Sequence, residues 1–225
     1  MAEILVVDRT AFFGGDWPQG FVPVGAAERS AFLTAAGTAA RFVDRPTAER
    51  NPAWKQWIPY CVLRCGRPGQ RAEGVFLVQR TNGQTEARLH GQWSVGLGGH
   101  VDAADAGDMS PANGASFFLA ALRRELAEEL RIDLDRFAAP TFLGLLNDDG
   151  TAVGQVHAGL VYRLDLPCSL AAARESVEVR EISKMRGGFA SLVEFYELWQ
   201  DRPRFESWSQ LLVDAVVAAP MGDSA

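Results

Sequence analysis

Cysteine and histidine are scarce in this chain, with three of each in 225 residues. Cys61, Cys65 and Cys168 form an odd set without CxxC spacing, which argues against a disulfide framework and against a zinc-ribbon site. Cys61 and Cys65 fall in or beside an apolar strand, so buried reduced thiols are expected, and with them a cytoplasmic location. No run of about 18 apolar residues occurs, so no membrane-spanning helix is expected. The opening Met-Ala-Glu-Ile-Leu-Val-Val-Asp lacks a basic leader and reads as a short buried strand. Excess positive charge is also missing. A formal charge of -6 argues against a nucleic-acid binder, which would gather Lys and Arg on one face. It leaves open a small phosphorylated ligand, because a bound metal supplies positive charge locally.

What remains is an ordinary globular composition, 48% apolar and 22% charged, with no internal repeat and no low-complexity tract. Residues 3–8 read as a strand, 14–23 as a Gly- and Pro-containing loop, and 26–41 as an Ala-rich helix. Residues 1–55 are expected to form an N-terminal lobe packed on the main domain, because Phe12, Phe13, Trp17, Phe21 and Phe32 need burial. The main domain, 56–225, should open with strands at 57–63 and 74–80 that could pair as a hairpin. A short strand at 93–97 ends at Gly98-Gly99. A helix follows over about 114–131, then strands at 142–146 and 153–166 joined by the turn Asn147-Asp148-Asp149-Gly150. A last strand at 177–182 and helices at 189–200 and 205–218 close the chain, giving a mixed sheet with helices on its faces.

The chemistry concentrates on the helix. Leu119, Leu122, Leu126 and Leu130 make an apolar stripe, and Glu125, Glu128 and Glu129 stand at i, i+3 and i+4 beside it. Three carboxylates on one arc repel one another. Arg124 precedes Glu128 by four positions and can bond and hold a carboxylate. From spacing alone, a solvated acidic face and a face neutralised by hard divalent cations are equal readings. The upstream Gly96-Leu97-Gly98-Gly99-His100 favours the second, because bare backbone at a strand end lets a ligand approach closely.

With Gly99 ahead of Arg124-Glu125-Leu126-Ala127-Glu128-Glu129-Leu130-Arg131-Ile132, the sequence resembles the Nudix hydrolase family over about residues 57–185. That family's signature is Gly, five residues, Glu, seven residues, then Arg-Glu-apolar-x-Glu-Glu-x-Gly-apolar. The resemblance implies an α+β fold, a Nudix-like α/β/α sandwich with a mixed sheet and an N-terminal extension. It implies Mg²⁺ or Mn²⁺ on Glu125, Glu128 and Glu129 with a backbone carbonyl from Gly98 or Gly99. Arg124 and His100 would border the site. The implied reaction is water attack at phosphorus on a diphosphate linkage in a small nucleotide-like substrate, with no membrane or nucleic-acid partner and a homodimer allowed.

Two departures stand out. Arg124 follows Gly99 by 25 positions instead of 14, so the loop carries 11 extra residues, and Arg131 replaces the closing Gly. Counting back from Arg124, the family's first Glu falls on Ser116. The Asp residues at 102, 105 and 108 lack the order of a calcium loop and read as a solvated segment or a lid. General-base candidates are Glu178, Glu181 and the helix glutamates. His157, on a strand face with Gly159 and Val161, reads first as a structural histidine, and His100 as an even choice between pocket and scaffold. Trp17, Trp54, Trp57 and Trp208 are core residues or base-stacking platforms. An isopentenyl diphosphate isomerase-like activity would want a cysteine by the glycine turn and more histidines. A nucleotide-sensing domain without catalysis would be expected to have lost helix glutamates.

Overall fold

The run Trp54–Cys65 is apolar enough to be buried on both sides, and it forms the strand around which the sheet is built. The computed structural model describes residues 2–81, 91–106, 110–180 and 182–221. In chain order the strands are β1 (Glu3–Asp8), β2 (Gly20–Pro23), β3 (Ala40–Asp44), β4 (Trp54–Cys65), β5 (Gly74–Arg80) and β6 (Trp93–Ser94). They continue with β7 (Leu97–Gly98), β8 (Leu130–Arg131), β9 (Thr141–Asn147), β10 (His157–Leu166), β11 (Glu178–Val179) and β12 (Met185–Ser191). The helices are α1 (Arg29–Thr38), α2 (Arg45–Ala48), α3 (Ala103–Ala106), α4 (Gly114–Glu129), α5 (Leu170–Ser176), α6 (Leu192–Trp199) and α7 (Ser207–Leu212).

The main sheet runs β12-β5-β4-β10-β9-β2, with β1 pairing β3 and β4, β6 pairing β5, and β7 pairing β4. Only β4 and β10 run parallel among these described pairs; the sheet is therefore mixed, as expected. Alternation along β4 divides two cores. Trp57, Cys61, Leu63 and Cys65 face the layer holding Phe117, Phe118, Leu122 and Leu126 of α4. Tyr60 and Val62 face the layer holding Phe195 and Trp199 of α6 and Leu212 of α7. The product is an α/β/α sandwich. No helix among the described residues is long and apolar enough to cross a membrane.

Several local expectations shift. Residues 20–23, read as loop, form β2 at the sheet edge, and β12 was not foreseen because Arg186-Gly187-Gly188 shows no apolar alternation. The strand expected at 177–182 is reduced to β11, which pairs β8 outside the main sheet. The strand at 93–97 splits at Val95-Gly96, where Gly96 lies against the Tyr60 ring. On α4, Leu119 is only partly buried, and Phe117, Phe118 and Ala121 carry the buried face instead. In the N-terminal stretch Trp17 is buried while Phe13 stays 41% exposed. Arg131 in the place of the family's closing Gly is harmless here. The chain leaves α4 through Leu130 in extended conformation and enters β8, so no left-handed cap is required.

The position of α4 depends on α1. A Cβ on Gly37 would lie 1.8 Å from the Pro111 carbonyl oxygen, in the turn that leads into α4. Alanine in a helix interior is intrinsically better than glycine by about 1 kcal/mol, but a backbone overlap of this size forces helices apart at a cost of about 1–3 kcal/mol or more. Gly37→Ala is therefore expected to lower the urea midpoint with an unchanged m-value. Gly188→Ala, which meets open space, should leave the midpoint almost unmoved; equal midpoints for both variants would refute this account.

Candidate functional site

Arg124, Glu125, Glu128 and Glu129 line a cavity of about 710 Å³, and Gly98, Gly99 and His100 form part of the same wall. Strand β7 delivers the two glycines there. A Cβ on Gly98 would come within 2.2 Å of the Pro59 carbonyl oxygen, and one on Gly99 within 2.2 Å of Glu125 Cδ. The first glycine thus permits pairing with β4, and the second makes room for a carboxylate. Burial pushes the Glu125 carboxyl up, while the neighbouring Arg124 works to keep it ionised. Glu128 is more open, with 57% of its side chain exposed.

Arg124 is the centre of the local network. It donates through Nε to Asp105 Oδ1 at 2.5 Å and through Nη2 to Asp105 Oδ2 at 2.9 Å and to the His100 carbonyl at 2.9 Å. Its Nη1 donates to Glu125 at 2.8 Å and to Glu128 at 3.3 Å. The position assigned to Ser116 is corrected by this geometry. Ser116 is exposed on the first turn of α4, whereas Asp105 takes the arginine. Asp105 lies six positions after Gly99, the family's own spacing from Gly to first acid, so the inserted residues come after it. Counting forward from the glycine would have found it; counting back across the insertion could not. Asp102 and Asp105 are accordingly part of the arginine's surroundings and not a solvated segment, with Asp102 at 3.7 Å from Arg124. Asp108 lies outside the described residues.

A second network holds another part of the cavity lining. Lys55, fully buried on β4, donates to Asn147 Oδ1 at 2.7 Å, to Asp149 Oδ1 at 2.6 Å and to the Gly154 carbonyl. It thereby pins the turn between β9 and β10 against the sheet. From that turn Val153 presents its carbonyl to His157 Nδ1 at 2.8 Å. A carbonyl only accepts, so His157 Nδ1 carries the hydrogen and Nε2 is left as an acceptor. His157 Nε2 lies 3.3 Å from His100 Nε2, and Glu49 Oε1 stands 3.7 Å from His100 Nε2 and 4.0 Å from His157 Nε2. Burial, helped by Arg45, holds His100 well below the usual histidine range, so its ring is neutral. Among the described residues this trio is the group of three ligating side chains whose donor atoms all fall within 4.8 Å of one another; the α4 glutamates are spread wider. Glu49 carried no sequence signal, because it sits just after a one-turn helix far from the glutamate-rich segment.

Other expectations resolve by position. Glu178 lies on β11 beside Arg131 and lines a different hollow, so it does not reach this cavity; Glu181 lies outside the described residues. Trp17 and Trp57 are core, and Trp54 lies under Arg41. Trp208 lines the cavity next to Tyr60, whose hydroxyl donates to Glu206 at 2.7 Å. None of the three cysteines lines it.

No family model matches the chain. It is 38% identical over 180 residues to Protein YmaB of Bacillus subtilis (strain 168), covering 77% of each protein. Its structure is similar to that of Tm1382, a protein assigned to the Nudix hydrolases, with a TM-score of 0.70 and 27% identity over 96% of this chain and 98% of that one.

The Lys55 network predicts acid sensitivity. Burial works to raise the Asp149 carboxyl, but hydrogen bonds from Arg9, Lys55 and Gln19 outweigh it and hold the group well below the usual range. A carboxylate held low contributes stability that is fully present above its unfolded value, about 3.9, and is lost as pH falls through the folded value. Asp149→Asn should therefore be less stable than wild type at pH 7, with the difference in urea midpoint shrinking below about pH 4. A difference that stays constant with pH would contradict the assignment.

Proposed function

Because the chain belongs to the Nudix hydrolase family, we propose that it hydrolyses a diphosphate linkage in a nucleoside-diphosphate-X-type substrate by water attack at phosphorus. The observation that carries this reading is the packing of the Glu125 carboxylate onto the bare backbone of Gly99, with Arg124, Glu128 and Glu129 on the same cavity wall. The donor set fits a hard divalent cation: the carboxylate oxygens of Glu125, Glu128 and Glu129, on a wall shared with Gly98 and Gly99, would suit Mg²⁺ or Mn²⁺. Held there, a divalent ion would supply charge neutralisation for a diphosphate and a lowered pKa for water.

The chain's own residues supply the rest. Arg124 holds Glu125 and Glu128 in their places through fixed guanidinium hydrogen bonds. Arg45, Arg80 and Lys184 line the cavity and give it cationic donors for a polyphosphate. Trp208 offers a flat apolar face for a base or another X group. Of the candidate bases among the described residues, the α4 glutamates line the cavity and Glu178 does not, so that set is placed to take the proton of the attacking water. From the first 55 residues, Arg45 and Glu49 line the same cavity. An isomerase-like reading gains two histidines from the geometry but lacks its thiol, since Cys61 is buried and its thiol pushed far up.

The test is product release from a panel of nucleoside diphosphate derivatives with Mg²⁺ or Mn²⁺, comparing wild type with Glu128→Gln. Metal-dependent turnover is expected, falling about 100-fold or more in the variant, as for loss of a group that stabilises developing charge. Turnover that is indifferent to metal and to Glu128→Gln would sink the proposal. Nucleotide binding without turnover would make the protein a sensor.

A further inference from the structure

We propose that Glu49, His100 and His157 form a separate binding site for a first-row transition-metal ion of the Zn²⁺ class. The site is distinct from the oxygen-rich set on α4 and does not rest on the hydrolase reading.

The argument is geometric. Ligands about 2.0–2.2 Å from a tetrahedral zinc are separated by about 3.3–3.5 Å. The two imidazole Nε2 atoms already stand 3.3 Å apart, and Glu49 Oε1 lies 3.7 and 4.0 Å from them. A closure of about half an ångström by one carboxylate, at the end of a short helix, completes the triangle. Each ligand is also held from behind. Val153 fixes the His157 tautomer with Nε2 directed at the site, the second-partner arrangement usual for metal-bound histidine. Pro46 and the Asp44 side chain cap the turn that carries Glu49. Gln56 Oε1 is 2.8 Å from His100 Nε2 and accepts a hydrogen from it in the metal-free protein, so metal binding at Nε2 requires the other neutral tautomer, with that proton carried on Nδ1. Arg45 Nε stands 3.6 Å from the same Glu49 oxygen and must share it or turn to the other one.

Ligand chemistry separates this site from its neighbour. Two imidazoles and a carboxylate suit Zn²⁺, Co²⁺ or Ni²⁺, whereas Mg²⁺ prefers oxygen throughout. All three side chains border the cavity. Three protein ligands with a fourth position left open toward a cleft is the arrangement of a reactive zinc, and a closed four-ligand shell that of a structural one. Because all three ligands line the cavity, a fourth position would be open to a water or a phosphate oxygen.

Co²⁺ is the probe, because nitrogen-rich, low-coordinate sites give it strong visible absorption. The full chain, stripped with chelator, should take up one equivalent of Co²⁺ with that absorption, and excess Mg²⁺ should not displace it. Glu49→Gln and His157→Asn should weaken binding tenfold or more, while Glu128→Gln keeps it. His157 is buried and its variant could misfold, but Glu49 is partly exposed at a helix end, so Glu49→Gln alone decides the matter. A wild-type protein without the absorption would overturn the site. So would absorption that survives Glu49→Gln and disappears in Glu128→Gln. Since the readout is metal uptake and not turnover, failure of diphosphate hydrolysis leaves this result unaffected.

Discussion

The guanidinium of Arg124 sits among the Asp105, Glu125 and Glu128 carboxylates and the His100 carbonyl, and the cavity wall is assembled around it. Carboxylates at i, i+3 and i+4 on one helix repel one another, and the repulsion grows as water is removed. Arg124 offsets that repulsion from within the cluster and is itself held firmly protonated, chiefly by its bonds to Asp105. Its planar fork also reaches across to the chain leaving β7, which a lysine with one ammonium could not do in the same way. One side chain therefore fixes the helix, the glycine turn and the start of the inserted loop relative to each other. The glutamates can be concentrated on α4 because this arginine is there.

Lys55 does the corresponding work for the turn between β9 and β10. A fully buried ammonium is costly unless it is paired and hydrogen-bonded. Burial pulls its pKa down, against Asp149 which holds it up. The turn from Asn147 to His157 closes around it and supplies the acceptors, so the conformation of that turn is set by the needs of one buried charge. Val153 and His157 are carried to the cavity as a consequence. Two cations, one on a strand and one on a helix, thus organise walls made largely of loop.

Legibility in the sequence followed the same division. Apolar runs exposed β1, β4, β5 and α4, because burial on two faces or along a helix stripe leaves a periodic trace. The glutamates and Gly99 were legible because fixed helical spacing and a steric demand for glycine survive without any knowledge of the fold. β12 was not, since its Gly187 has a close backbone neighbour in place of an apolar side chain: a Cβ there would fall 2.0 Å from the Leu77 carbonyl oxygen. Asp105 was hidden by the insertion, which preserves spacing on one side of itself only. Glu49 and His157 are 108 positions apart and meet through the parallel pairing of β4 and β10. Such a non-local register leaves no short-range pattern to read.

His100 borders both parts of the cavity. Its backbone carbonyl is tied to Arg124 and its ring nitrogen faces His157 and Gln56. Movement of the glycine turn consequently shifts the arginine that steadies the carboxylates and the imidazole that faces Glu49. The rigid pairing of Gly98 with Tyr60 on β4 limits that movement at its source. Anchored to the central strand, the turn stands between donors of two chemical kinds in one cavity, carboxylate oxygen on α4 and imidazole nitrogen on β10.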